Sequence, residues 1–173
     1  MTSLYEEIFK LKNILRKGWV VRNAWQPNGR CESDAEHCFS MAMLALEIME
    51  KRKYELDKLK VLKLIIYHEL CEIDTGDWTP LDKIPANVKY ENEYVASRRL
   101  AVEYDMPEIL ECFVEFEEKK TPEAIFAKKM DKLDCLMQCK IYSKINNNPK
   151  LFEEFADNAP QIVSEFKEFL DKI

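Results

Sequence analysis

The chain has 173 residues, 47% of them hydrophobic, with a formal net charge of −6 and a pI near 5.2. Length and apolar content suit a single domain, residues 1–173, with its own core, and exclude a disordered chain. An acidic chain gains nothing from a polynucleotide backbone, so no nucleic-acid polymer is expected as partner, whereas a small anion needs only a local cluster of positive charge.

Only three glycines occur, Gly18, Gly29 and Gly76, which leaves little for hairpins and favours helix. The spacing predicts a first helix over about Ser3 to Lys17, with Leu4, Ile8, Leu11, Ile14 and Leu15 on one face and Gly18 ending it. Arg22 to Glu32, with Pro27, Asn28 and Gly29, reads as a loop. Ser33 with Glu36 three residues on is a capping box, opening a helix whose run from Phe39 to Met49 is apolar almost all round. Asp57 caps the next, carrying Leu59, Leu62, Leu64, Ile65, Ile66 and Leu70. Ile73 to Pro85 breaks into a loop at Gly76 and Pro80.

A more polar helix follows over about Ala86 to Tyr104, and Pro107 opens another to about Glu118. Thr121-Pro122 is a cap with proline at the first helical position, starting an apolar helix to about Lys144. Pro149 and Pro160 open the last two, so the core is expected over about 4–145 with C-terminal helices over 149–173. No stretch alternates with period two, and the fold class expected is all-α. The start, MTSLYEEIFKLKNIL, is charged and amphipathic, without the apolar stretch of a signal peptide. No membrane partner is expected, and the location expected is cytoplasmic. None of the six cysteines forms a CxxC pair, and reduced, buried, unreactive thiols are expected.

Two features of the apolar helices stand out. The chain has two histidines, His37 and His68, both on helices expected to be buried; a lone histidine on such a face is usually a satisfied core residue. His68 is followed by Glu69, Glu72, Asp74 and Asp77, and four carboxylates starting inside an apolar helix are costly to bury unpaired. The helix from Pro122 places Asp131, Asp134 and Gln138 on one stripe, with Lys128, Lys129 and Lys132 elsewhere on the wheel; spacing alone equally allows a solvated polar stripe. A divalent metal resolves both. Two neutral imidazoles and two carboxylates balance a dication, suit manganese, iron, cobalt, nickel or zinc, and leave positions for water and a substrate oxygen.

An isolated His, a His-acid pair about thirty residues on and an Asp about sixty residues further resemble the HD superfamily of metal-dependent phosphohydrolases. The resemblance is closer to its single-domain group of bacterial 5′-deoxynucleotidases and the HD-domain-containing protein 2 type. Four ordered blocks carry it: RKGWVVRN (16–23), ESDAEHCFSMAMLAL (32–46), HELCEIDTGDWTP (68–80) and KKMDKLDCLMQC (128–139).

The resemblance implies a helical bundle around a central metal site, with His37, His68, Glu69 and Asp131 as ligands. It implies Glu72 as the group that positions or deprotonates the attacking water, the rival reading being an exposed glutamate at a helix end, and Asp77 as an acid on the substrate side, the rival reading being a turn residue. Arg16 and Trp19 match the block that meets phosphate and sugar: the guanidinium fork suits phosphate, and the indole would leave no room or partner for a 2′-hydroxyl. Arg22 competes with Arg16 for this role, or pairs with a carboxylate such as Glu36; Lys83 is a candidate phosphate contact, with a solvated lysine the favoured reading. The chain departs from the family at Glu69, where the pattern has Asp, one methylene shorter.

Two-metal members use additional histidines, which this chain lacks, so the resemblance implies one divalent ion (Mn, Co, Zn, Ni, Fe or Mg). The activity implied is hydrolysis of a phosphate monoester, foremost a 5′-deoxyribonucleoside monophosphate. Another small phosphorylated metabolite, or nucleotide binding with little turnover because of Glu69, are the alternatives. Relatives of this kind tend to dimerise, and the Phe and Leu residues of the last helices are the candidate interface.

Overall fold

A computed structural model describes residues 3–173. The chain is all-α: among the described residues extended backbone pairs only at the isolated bridge between Leu15 and Ser33. The helices are α1 (Leu4–Leu11), α2 (Lys17–Val20), α3 (Asp34–Arg52), α4 (Lys58–Tyr67), α5 (Glu72–Thr75), α6 (Ala86–Glu103), α7 (Glu108–Glu118), α8 (Pro122–Ile145), α9 (Pro149–Asn158), α10 (Pro160–Glu165) and α11 (Lys167–Leu170), with a 3₁₀ turn at Pro80–Asp82. Among the described residues no helix is long and apolar enough to cross a membrane.

The starts follow from local chemistry. Ser3 with Glu6 and Ser33 with Glu36 each form a complete capping box. Asp57 accepts from the Lys60 amide and Thr121 from that of Ala124, satisfying donors that a helix leaves orphaned. Lys53 and Lys119 stop α3 and α7 in the left-handed conformation.

The expected first helix is two pieces. It ends at Leu11, and Gly18 lies inside α2 rather than ending α1. The pattern 4, 8, 11, 14, 15 stays helical in period, but tertiary pairing overrides it. The Asp34 amide donates to the Ile14 carbonyl and the Arg16 amide to the Glu32 carbonyl, both at 3.0 Å, which draws this segment straight beside the entry to α3. The stretch 73–85 is also more ordered than expected, holding α5 and the 3₁₀ turn.

Helices α3, α4 and α8 pack on one another, and α7 covers α4 and α8. Their core includes Met41, Ile48, Leu64, Ile65, Met130 and Leu133, all inaccessible to solvent. Leu59 and Ile66, by contrast, face outward. The C-terminal helices turn their large residues inward: Leu151, Phe166, Phe169 and Leu170 are buried. That contradicts the expectation that these helices offer Phe and Leu as an interface, because the open flank of α8 needs their apolar side chains as a lid. The sulfurs are all unpaired; Cys31, Cys38, Cys71 and Cys139 are buried, and Cys112 and Cys135 are half-buried.

Candidate metal centre and active site

The three central helices converge at one point. His37 lies in the first turn of α3 with no exposure, and His68 caps the C-terminal end of α4, followed directly by Glu69. Asp131 projects from the middle of α8. His37, His68, Glu69 and Asp131 each offer a ligand atom, and these atoms lie within 4.8 Å of one another. His37 Nε2 is 3.3 Å from Asp131 Oδ1 and 3.7 Å from Glu69 Oε1, and His68 Nε2 is 3.1 Å from Glu69 Oε1.

The ring orientations fit a cation. His37 Nδ1 meets Asp134 Oδ2 at 2.8 Å, and His68 Nδ1 meets the Ile65 carbonyl at 2.6 Å. Both carry the ring proton outward, so each Nε2 turns a lone pair to the centre. Both Nε2 atoms are buried with no hydrogen-bond partner, a costly arrangement that a divalent ion relieves. The longer Glu69 side chain still reaches this point, and Arg16 Nη1 donates to its Oε1 at 2.8 Å.

The acids around the centre divide electrostatically. Burial raises the Glu69 carboxyl, but the His68 and Arg16 charges outweigh it and hold it well below the usual range. Burial likewise raises Asp131, and the His37 ring at 3.3 Å together with His68 holds it low. Glu72 goes the other way, raised by burial and by the charges of Glu69, Asp34 and Asp77. Asp34, fully buried at the start of α3, is pushed up to about 7 by burial and by Glu69. His37 is raised: burial and Arg16 push it down, but the carboxylates of Asp131 and Asp134 beside its ring outweigh them.

Glu72 opens α5 one turn beyond His68 and is buried; its Oε2 has no partner. Gly76 ends α5 at φ 71°, a conformation strained for any side chain, and so redirects the chain to Asp77. Asp77 Oδ2 accepts from the Lys17 amide at 2.6 Å, tying the acid to the start of α2. Arg16, at the cap of α2, is largely buried between Glu69 and Asp34.

A cavity of about 810 Å³ opens over this group and is lined by Arg16, Trp19, Arg22, His68, Glu69, Glu72, Asp77 and Asp131. His37 lies behind its wall. Trp19 is 2% exposed, stacked on Phe155 and edge-on to Tyr142, with its indole N–H donating to Glu32 at 2.7 Å. Arg22 pairs with Glu154 on α9, and it is Arg30 that takes Glu36, so the expected Arg22–Glu36 alternative does not form. Lys83 is absent from the lining, whereas Lys128 and Lys132, placed off the acidic stripe by spacing, both reach the wall, as does Lys89.

Sequence reasoning missed three acids here. Asp34 sits inside the ESDAEH block but carries no spacing signal. Glu32 and Asp134 are buried beside His37; the Asp131–Asp134 step of three was visible, though it equally described a solvated stripe.

The HD-domain family profile matches residues 8–169. The chain belongs to the HD-domain family. Among relatives of this HD domain, the human protein named 5′-deoxynucleotidase HDDC2 is 31% identical over 163 residues, covering 89% of this chain and 76% of that protein. The Dictyostelium discoideum protein of the same name is 35% identical over 155 residues, covering 82% and 79%. A conserved hypothetical protein from Pyrococcus furiosus superposes with a TM-score of 0.75 at 29% identity, covering 98% of each chain. A structure from Magnetospirillum magnetotacticum MS-1, named as a predicted metal-dependent phosphohydrolase, gives 0.65 at 25% identity, covering 93% and 90%.

Proposed function

We propose that this HD domain, acting as one unit, is a metal-dependent phosphomonoester hydrolase whose substrates are 5′-deoxyribonucleoside monophosphates. The observation that carries the reading is the pair of buried, partnerless Nε2 atoms facing Glu69 and Asp131, two residues that line the cavity. The names of the relatives support the substrate class.

His37, His68, Glu69 and Asp131 would hold one divalent ion, since two imidazoles and two carboxylates neutralise a dication and no further histidine is available. When bound, the ion supplies Lewis-acid polarisation of a phosphoryl oxygen and makes water more acidic. Arg16 offers its guanidinium to the phosphate while braced by Glu69, so it is oriented before substrate arrives. Glu72, with its raised proton affinity, accepts the proton from the water whose oxygen bonds to phosphorus, and O5′ takes a proton from solvent as the P–O5′ bond breaks. Inorganic phosphate and the deoxynucleoside leave. Asp77, held by the Lys17 amide, faces the sugar end, and Trp19 closes that wall against a 2′-hydroxyl.

The test is phosphate release from a panel of deoxyribonucleotides, ribonucleotides and sugar phosphates with added Mn²⁺ or Co²⁺. Release from deoxyribonucleotides, abolished in His68→Ala, is the expected result. Unchanged turnover in His68→Ala removes the metal centre from the mechanism, and preference for a sugar phosphate removes the substrate assignment. Nucleotide-induced stabilisation without release under any metal means binding without turnover.

Two companion proposals concern context. The six unpaired thiols support a reducing, cytoplasmic location. A homodimer is supported by Phe39, Met43, Ile141 and Ile145, which leave an apolar strip open on α3 and α8. Light scattering of Phe39→Glu should report a monomer if the strip is the interface, and an unchanged mass refutes it.

A further inference from the structure

The four proposed ligands do not exhaust the polar groups buried at the centre. A second group, Glu32, His37 and Asp134, is buried at all three positions, with ligand-type atoms within 4.8 Å of one another. The two groups share His37, and a neutral imidazole has one lone pair to give. His37 Nδ1 has a partner, Asp134 Oδ2 at 2.8 Å, whereas Nε2 has none. Nδ1 therefore carries the proton and donates it to Asp134, so the lone pair faces Glu69 and Asp131. The second group holds a hydrogen bond, not a second ion.

We propose that Asp134 is a positioning residue of the metal centre, fixing the tautomer and ring direction of His37. It lies one turn beyond Asp131 on α8, so one helix face supplies both a proposed ligand and the brace for another. Glu32 lies against the same pair and accepts the Trp19 indole N–H at 2.7 Å, and its own amide donates to the Tyr142 hydroxyl at 2.9 Å. Through this chain the wall that faces the sugar and the ring that faces the ion rest on a common pair of carboxylates. His68 needs no such acid, because the Ile65 carbonyl at 2.6 Å does the same work from its own helix. His37, in the first turn of α3, takes its acceptor from α8 instead.

The inference rests on the metal reading above, and the experiment separates the two. The probe is Mn²⁺ alone, titrated by electron paramagnetic resonance or calorimetry into the parent chain, Asp134→Asn and Asp134→Ala. Loss of an outer partner of a metal-bound histidine costs about 10–100-fold in affinity. Asp134→Ala should weaken Mn²⁺ binding by that factor. Asp134→Asn keeps an oxygen that can accept the Nδ1 proton and should lie between Ala and the parent. If Ala does not fold, the near-isosteric Asn variant decides alone.

With two histidines in the chain, ¹⁵N imidazole spectra of the metal-free protein give the second readout: a strongly hydrogen-bonded His37 Nδ1 proton in the parent, lost in Asp134→Ala. Mn²⁺ affinity within twofold of the parent in folded variants overturns the positioning role while leaving the metal site standing. A parent chain that does not take up Mn²⁺ overturns both.

Discussion

Removing the metal should lower stability by an amount set by the ion's affinity and its free concentration. Two partnerless imidazole nitrogens and the carboxylates of Glu69 and Asp131 converge in a buried space, with Asp34 and Glu72 close by. The unfolded chain has no such arrangement, because the four side chains span 95 positions from His37 to Asp131. An ion at about 100 times its dissociation constant then stabilises the folded state by about 2.7 kcal/mol. For a chain of this length each kcal/mol moves the melting temperature by about 2–4 °C, so Mn²⁺ should raise Tm by roughly 5–11 °C over chelator-treated protein. Scanning calorimetry with EDTA, then with a Mn²⁺ series, reads the shift. His68→Ala, which deletes one orphaned nitrogen, should abolish it. A Tm that does not respond to Mn²⁺, or an equal response in His68→Ala, would falsify the reasoning.

Arg16→Lys keeps the charge beside Glu69 but loses the planar fork, so kcat for a deoxyribonucleotide should fall about 10²-fold with the melting temperature nearly unchanged; full activity would mean a point charge suffices. Asp34 is raised from 3.8 to about 7, so its contribution to stability is present below about pH 4 and lost as pH rises to 7. That rise corresponds to at most about 4 kcal/mol, and Asp34→Asn should stabilise metal-free protein at pH 8 and flatten its urea midpoint between pH 4 and 7. A variant no more stable than the parent at pH 8 contradicts the assignment. Trp19→Ala opens a hole beside Phe155 and Tyr142 and should cost about 3–5 kcal/mol in chemical denaturation. Trp19→Phe should keep more of that stability but relax discrimination against ribonucleotides, read as a rise in their kcat/KM relative to deoxyribonucleotides.

Much of this was legible in the sequence because it is written in local chemistry. The Ser33–Glu36 box, the Asp57 cap and the Thr121-Pro122 start mark real helix ends. His37, His68, Glu69 and Asp131 were recoverable because histidines and acids on apolar helix faces are expensive without a reason. What escaped depends on pairing between distant segments. Leu15 keeps the helical period yet leaves the helix, since the strand-like contact with Ser33 takes its neighbours' hydrogen bonds. Asp134 looks like any surface acid until α3 is laid against α8. The phenylalanines near the C-terminus suggest an interface until α9–α11 are seen to fold back on α8. Arg30 and Arg22 both follow the first helix, and only the position of α9 decides that Glu154 takes one of them.

The most direct measurement is the anomalous-difference map of a crystal grown with Mn²⁺. One peak is expected, within coordinating distance of His37 Nε2, His68 Nε2 and oxygens of Glu69 and Asp131. A fully occupied crystal with density elsewhere, or with the His37 ring turned to place Nδ1 on the ion, would contradict the account at its root.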